Sequence, residues 1–417
     1  MQKEIRMSIR LIHTGDLHIG QRLKKQSRYD EHEKMLLWIH EQVREKQAQL
    51  LVIAGDIFDG SSPSPSSMRL FNSFLADLEK IPSLCSVIIT AGNHDSAQRL
   101  DSFKPVLQRL GIFIVGAYQN RSDDWDSWLI PVYDESKKLL ASVAAVPFIH
   151  EFRLGLKKND KTLYAEQIKE AFRDVYGHFA KRSKELYPGA PLIGMGHLTA
   201  MSEEEVVGIA PQNVHIALEK GMDGEIFGVD YDYVALGHIH KNYKVRGPAN
   251  AYYCGSPVPC SIDEAEDSSQ RGVWFVDLSQ SPVPQLCPAP CFRSFFRIQG
   301  TVDELEEKII ALRWPEEQET PFLWLRVETE TVRYDLHELF GSLLANHPEC
   351  PPVIMDIDNV LCDAENQGLH HVDVKTTPQE IFDLLLETKN IPKTSRMQEL
   401  FSELLAQHSE HAKHEDV

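Results

Sequence analysis

Residues 87–96 read VIITAGNHDS. An apolar run of buried-strand type stops at Ala91-Gly92, and Asn93, His94 and Asp95, all fit for ligation or proton transfer, follow at once. A single ending of this kind is an ordinary turn, because Asn, Asp and Gly are turn formers. The same ending recurs. Ser8–Gly15 closes with Asp16-Leu17-His18, Leu50–Gly55 with Asp56, Pro191–Gly196 with His197, and Tyr233–Gly237 with His238-Ile239-His240. Turns alone do not account for five apolar runs that each finish on Gly and then Asp, Asn or His. In α/β sheets ligands bind at the carboxyl ends of strands, where glycine permits a sharp change of direction. Carboxylates, imidazoles and an amide gathered on such an edge form a donor set for hard-to-borderline divalent metals. His13 and His215 lack the pattern and read as structural or surface histidines.

Outward from these motifs, the first 280 residues alternate short apolar runs with segments of helical period, which predicts an α/β layered fold. Helices are expected over Arg28–Ala48, with a stripe of Met35, Leu36, Ile39 and Val43, over Ser66–Lys80, and over Thr162–Leu186. Residues 281–292 carry most of a proline-rich tract and read as a linker. Residues 293–375 alternate strand and helix patterns and predict a small α+β domain. Residues 376–408 read as two amphipathic helices, marked by Ile381, Phe382, Leu384 and Leu385 and by Met397, Leu400, Phe401, Leu404 and Leu405. Residues 409–417 form an acidic tail.

A chain of 417 residues has room for two or three domains, and 42% hydrophobic with 25% charged residues excludes wholesale disorder. No apolar run is long enough to span a bilayer and the N-terminus has no signal core, so a cytoplasmic protein is expected. Seven cysteines without a CxxC pair suit reduced thiols. The net charge of −19 argues at first against nucleic acid, but about −14 of it falls in residues 281–417. Total charge therefore does not decide the partner.

In their order, Asp-x-His, Gly-Asp, Gly-Asn-His-Asp, Gly-His and Gly-His-x-His resemble the metallophosphoesterase (calcineurin-like) superfamily. TGDLHIG (14–20), AGDIFD (54–59), AGNHDS (91–96), ALGHIH (235–240) and YCGSPVP (253–259) with Asp263-Glu264 narrow the resemblance to SbcD, the nuclease subunits of bacterial SbcCD complexes. The motifs span residues 13–264; beyond 290 the likeness is one of layout. The resemblance implies a β-sandwich flanked by helices over 1–280, then a capping domain, then a helix pair that docks on an SbcC-type SMC-like ATPase. It also implies a homodimer.

The same resemblance implies two divalent metal ions, usually Mn2+. One would take Asp16, His18, Asp56 and His240, the other Asp56, Asn93, His197 and His238, with Asp56 as the bridge. His94 would protonate the departing oxygen, and Asp95 would orient it or cap the turn. The implied activity is 3′–5′ exonuclease action on duplexes and endonuclease action on single strands and hairpins, in DNA repair, recombination and replication. Asp59 stands where some relatives carry a second catalytic histidine, so no mechanism that needs one carries over. Arg22, Lys24, Lys25 and Arg28 are candidates for contact with the phosphate backbone. No Walker motif is present, so any ATP dependence belongs to a second chain. Two other readings stand beside this one: a small-molecule or protein phosphatase/phosphodiesterase, and an inactive scaffold for the ATPase. The YCGSPVP segment argues against the first, and the filled ligand positions argue against the second.

Overall fold

Strands are numbered along the chain. The first sheet contains, in spatial order, β14 (Ser281–Pro288), β13 (Gly272–Asp277), β1 (Arg10–Thr14), β4 (Leu50–Ala54), β5 (Ser86–Thr90) and β6 (Ile112–Val115). Strands β1, β4, β5 and β6 run parallel, while β13 and β14 are antiparallel additions. The composition of β4 explains its place. Its alternate side chains go to opposite faces, so that Leu50, Val52 and Ala54 enter one core while Leu51 and Ile53 enter another. A strand covered on both faces must be apolar throughout, and LLVIA is.

The second sheet has the order β11 (Asn242–Lys244), β12 (Ala251–Cys254), β10 (Tyr233–Gly237), β9 (Leu192–His197), β8 (Leu139–Ala145) and β7 (Leu129–Tyr133). Here β8, β9, β10 and β12 are parallel. The core between the sheets joins Leu50, Val52 and Ile88 to Val143, Met195 and Leu236. On the outer face of the first sheet lie α1 (Tyr29–Glu45) and α2 (Pro65–Leu78), through Met35, Ile39, Leu70 and Phe74. The second sheet is covered by the helix Lys161–Leu186, through Phe172, Tyr176 and Phe179. The result is a helix–sheet–sheet–helix sandwich. Helix α2 starts where the sequence places a stop in a loop: Ser64 accepts from the Ser67 amide at 3.1 Å, and Pro65 follows at the first helical position. Between β1 and α1 the pair β2 (Arg22–Leu23) and β3 (Gln26–Ser27) forms a small hairpin.

The structure is a computed structural model that describes residues 9–118, 125–156, 161–200, 222–267, 269–329, 336–345, 352–362 and 369–371, with a few isolated positions. It divides into one unit of Met1–Phe295 with Trp314–Phe322 and another of Phe296–Arg313 with Leu323–Val417. A further sheet, most of whose residues fall in the second unit, is ordered β15 (Arg293–Gly300), β16 (Glu319–Thr329), β17 (Val353–Cys362) and β18 (Leu369–His371). The core of the second unit gathers Leu305, Ile309, Leu325, Phe340 and Ile357. The helix Val302–Ala311 opens with a capping box, Thr301 and Glu304 each serving the other's backbone amide. The helix pair expected over 376–408, the tail 409–417 and His215 lie outside the described residues, apart from isolated positions in the pair.

The expected linker over 281–292 is corrected. Residues Ser281–Pro288 are strand β14, paired antiparallel to β13 from Asp277↔Ser281 to Gly272↔Pro288. Prolines 282, 284 and 288 are tolerated because β14 is the edge of its sheet, where half the backbone amides face no partner strand. Proline density here marks a sheet edge rather than a flexible joint.

Candidate metal centre

All five strand endings of the opening pattern converge. β1, β4, β5, β9 and β10 deliver Asp16 and His18, Asp56, Asn93, His197, and His238 with His240 to one rim across the two sheets. The backbone there is unusual. Among the described residues eight non-glycine positions have positive φ, and Asp16 (48°), His18 (44°), Asp56 (47°) and His238 (94°) are four of them. Such conformations cost roughly 1–3 kcal/mol each and persist where the surroundings hold them for a purpose. The preceding glycines are there for space. A Cβ on Gly55 would stand 2.2 Å from Nδ1 of His197, and one on Gly92 would stand 2.1 Å from Oδ1 of Asp56.

The seven side chains form two half-clusters joined by one atom. Oδ2 of Asp56 lies 3.7 Å from Nε2 of His18 and 3.3 Å from Nε2 of His197. On one side, Nε2 of His18 is 3.2 Å from Nε2 of His240. On the other, Oδ1 of Asn93 is 2.9 Å from Nε2 of His197 and 3.0 Å from Nδ1 of His238. Asp16 is fully buried and accepts the His238 amide on both carboxylate oxygens, at 2.9 and 3.0 Å, which ties the ends of the two sheets together. Donor atoms of Asp16, His18 and Asp56 lie within 4.8 Å of one another.

Further groups fix the orientation of these donors. Nδ1 of His197 donates to the Ala54 carbonyl at 2.8 Å, which leaves Nε2 facing the cluster. Glu264 holds Nδ1 of His240 at 2.9 Å and is itself braced by Arg271 at 3.3 Å. Carboxylate and carbonyl partners of this kind set the tautomer and raise the basicity of a ligating imidazole. Burial alone would push the Asp56 carboxyl up, but the His197 and His18 imidazoles hold it well below the carboxylate range. Burial would lower His197, yet Asp56 and Asp16 outweigh it and raise the ring to about 9. A core that packs carboxylates against four imidazoles, with Nδ1 of buried His18 lacking a hydrogen bond, fits bound divalent cations.

His94 sits exposed beside this cluster, its ring 5.0 Å from that of His18. Its amide donates to Oδ1 of Asp56 at 2.9 Å, and its Nδ1 lies 2.9 Å from the Asp59 carbonyl oxygen. Asp95 is expected either to orient His94 or to cap the turn. Its buried carboxylate accepts from the amides of Ile57 (3.1 Å), Phe58 (3.0 Å) and Gly92 (2.9 Å) and so clamps two strand-end loops together. Burial and the nearby Asp56 charge raise Asp95 to about 6.

The four basic candidates separate. Arg22, Lys24 and Lys25 are exposed on the β2–β3 hairpin. Arg28 is not a surface group. It is 1% exposed, with Nε 2.9 Å from Oε2 of Glu31, and a phosphate could not reach it without breaking that pair. His13 is buried against the Tyr233 hydroxyl at 2.9 Å, a structural histidine as expected. Sequence reading missed Cys260, whose donor atom lies within 4.8 Å of those of His18 and His240, and gave no role to Glu264. Both follow the last ligand pair by some twenty residues, and only the fold brings them back.

A family model described as calcineurin-like phosphoesterase matches residues 9–242, and the chain belongs to that family. Within it the chain groups with SbcD. It is 31% identical to the SbcD subunit of the SbcCD nuclease of Rhodobacter capsulatus, over 77% of this chain and 81% of the relative. It is 26% identical to the SbcD of Escherichia coli K12, over 95% and 98%. The DNA double-strand break repair protein Mre11 of Methanopyrus kandleri is 24% identical, over 74% and 61%.

Proposed function

We propose that this chain is a metal-dependent DNA nuclease that hydrolyses phosphodiester bonds at the Asp56-centred rim. The observation that carries the reading is Oδ2 of Asp56, shared between the His18/His240 and His197/Asn93 half-clusters. Asp16, His18, Asp56 and His240 would hold one divalent ion and Asp56, Asn93, His197 and His238 a second, with Mn2+ the expected metal. Bound there, the ions would supply positive charge against the phosphate and acidify water at neutral pH. The residues do the rest. Asp56 would serve both positions with one carboxylate, and the Asn93 amide would contribute a neutral oxygen that leaves more of an ion's charge for the phosphate. His94 gives its proton to the leaving sugar oxygen as the P–O bond breaks. Its Nδ1–H donates to the Asp59 carbonyl, so Nε2 is the nitrogen left for that transfer.

The relatives' names include nuclease and DNA double-strand break repair, which supports DNA as the substrate. The proposed actions are 3′–5′ exonucleolytic cutting of duplex ends and endonucleolytic opening of hairpins and single strands. Arg22, Lys24 and Lys25 would meet the phosphate backbone. An SbcC-type ATPase is the proposed partner, docking on residues 376–408 of a homodimer in the cytoplasm. Among the described residues no helix is long and apolar enough to cross a membrane. The test is cleavage of an end-labelled duplex with Mn2+, beside His94→Ala, with and without the ATPase. Cleavage that needs Mn2+ and is abolished in the variant supports the reading. Hydrolysis of bis-p-nitrophenyl phosphate without any DNA cleavage would replace it with a small-molecule phosphodiesterase.

A further inference from the structure

The proposed mechanism makes no use of Cys260, yet its thiol stands with His18 and His240, the three donor atoms mutually within 4.8 Å. The placement is built. One carboxylate, that of Glu264, holds Nδ1 of His240 at 2.9 Å with Oε1 and the Cys260 amide at 2.9 Å with Oε2. Glu264 is fixed in turn by Arg271, whose guanidinium also bonds the carbonyls of His240 (3.2 Å) and Ser256 (3.1 Å). Ser256, fully buried, lies 3.5 Å from Sγ and donates to the Asp16 carbonyl at 2.8 Å, which ties the thiol to a second element of the rim. His18 is 2% exposed, and its Nδ1 makes no hydrogen bond, with Oδ1 of Asp59 standing 3.5 Å away. The other ring nitrogen of His18, Nε2, is the one turned to His240, 3.2 Å from its Nε2.

We propose that Cys260 converts the His18/His240 half of the centre into a nitrogen, nitrogen, sulfur pocket that captures a thiophilic divalent ion, zinc above all. Such an ion would compete there with the oxygen-preferring metal that catalysis uses. The inference rests on the assignment of His18 and His240 as ligands. Thiolate is a soft donor that selects zinc, whereas manganese favours carboxylate and water. On binding, the thiol proton leaves to solvent as the metal–sulfur bond forms. Cys260 would therefore set which metal the site keeps, while contributing nothing to the manganese-loaded reaction.

The full-length protein, Cys260→Ser, Cys260→Ala and the exposed-thiol control Cys291→Ser would be titrated with Co2+ by absorption and with Zn2+ and Mn2+ by calorimetry. Melting curves would verify that each is folded. A sulfur-to-cobalt charge-transfer band in the wild type and in Cys291→Ser, gone in both Cys260 variants, is expected. Zinc affinity should fall in those variants by about tenfold or more while manganese affinity stays nearly unchanged. The proposal is overturned if Co2+ binds the wild type without the band, if the band survives in Cys260→Ser, or if zinc and manganese weaken together. Manganese binding without the band would overturn this inference alone. A wild type that binds neither Mn2+ nor Co2+ would overturn the two-metal reading with it.

Discussion

The metal rim and the basic hairpin are neighbours in sequence, since Asp16 and His18 precede Arg22, Lys24 and Lys25 by a few residues, but they are built on opposite terms. Each rim donor is buried or hydrogen-bonded to another strand end, and four of the seven, Asp16, His18, Asp56 and His238, hold a costly positive-φ backbone. The hairpin is exposed, two residues per strand, and the Arg22 guanidinium bonds the Lys25 carbonyl across its turn. A rim residue therefore acts through geometry and should be irreplaceable. A hairpin residue acts through charge and should be replaceable by any other cation. Substitutions that cross this line would break the comparison.

The largest effect belongs to the rim. Asp56→Asn keeps the shape of the carboxylate but removes the charge that both half-clusters share. Cleavage should fall by about three orders of magnitude or more. Calorimetry should show the loss of at least one manganese site, with circular dichroism verifying that the variant is folded. Near-normal turnover in this variant would remove Asp56 from the centre of the mechanism.

Arg28 is the instructive exception, because it belongs to the basic run by sequence and to the interior by structure. Glu31 is as buried as Arg28, and Arg293 adds an interaction with it at 3.3 Å. Arg28→Ala leaves the buried Glu31 carboxylate with Arg293 as its remaining cation and should destabilise the fold by up to about 3 kcal/mol. Lys25→Ala on the hairpin should cost almost nothing. Denaturant titration of the two compares them directly, and equal stabilities would mean that Arg28 behaves as a surface residue after all.

Positions 28 and 31 also show how far the sequence could be read. The buried face of α1 runs through Glu31, His32, Met35, Leu36, Ile39 and Val43. Continuing that period backwards reaches Arg28 and pairs it with Glu31 three residues on, so its burial was available to periodicity, although its charge suggested a DNA contact. The strand-end motifs were legible because apolar run, glycine and ligand are contiguous. Cys260 and Glu264 were not, because their meaning depends on a return of the chain to His18 and His240. Asp59 acts on His94 through its backbone carbonyl, which no side-chain motif encodes. The prolines of β14 misled because one residue type serves both linkers and sheet edges.

Buried histidines outside the rim give an intermediate effect that depends on pH. Desolvation pushes His13 and His32 down to about 3, whereas in the unfolded chain each titrates near 6.5. Between these values the unfolded state binds the protons and the folded state does not. Stability is then lost as pH falls below about 6.5, by up to about 1.4 kcal/mol per pH unit for each ring. Urea titrations of chelated protein at pH 7.5 and pH 5 should show the loss, and His13→Gln with His32→Gln should reduce it. An undiminished pH dependence in the double variant would assign it to other groups.

The smallest effect sharpens the comparison most. Lys24 and Lys25 occupy the turn of the hairpin with φ of 45° and 72°, where Asn-Gly would sit at lower cost. Keeping two lysines in a left-handed turn makes sense if their charge is used at that tip. Lys24→Asn with Lys25→Gly separates shape from charge, since it retains the hairpin and removes two cations. Duplex affinity should weaken, and the slope of log affinity against log salt should drop by about 0.9 for each phosphate that is no longer neutralised. Turnover at saturating DNA should hold, because nothing on the rim has moved. An unchanged salt slope would make the hairpin a solvated loop, and the strained lysines would then lack an electrostatic explanation.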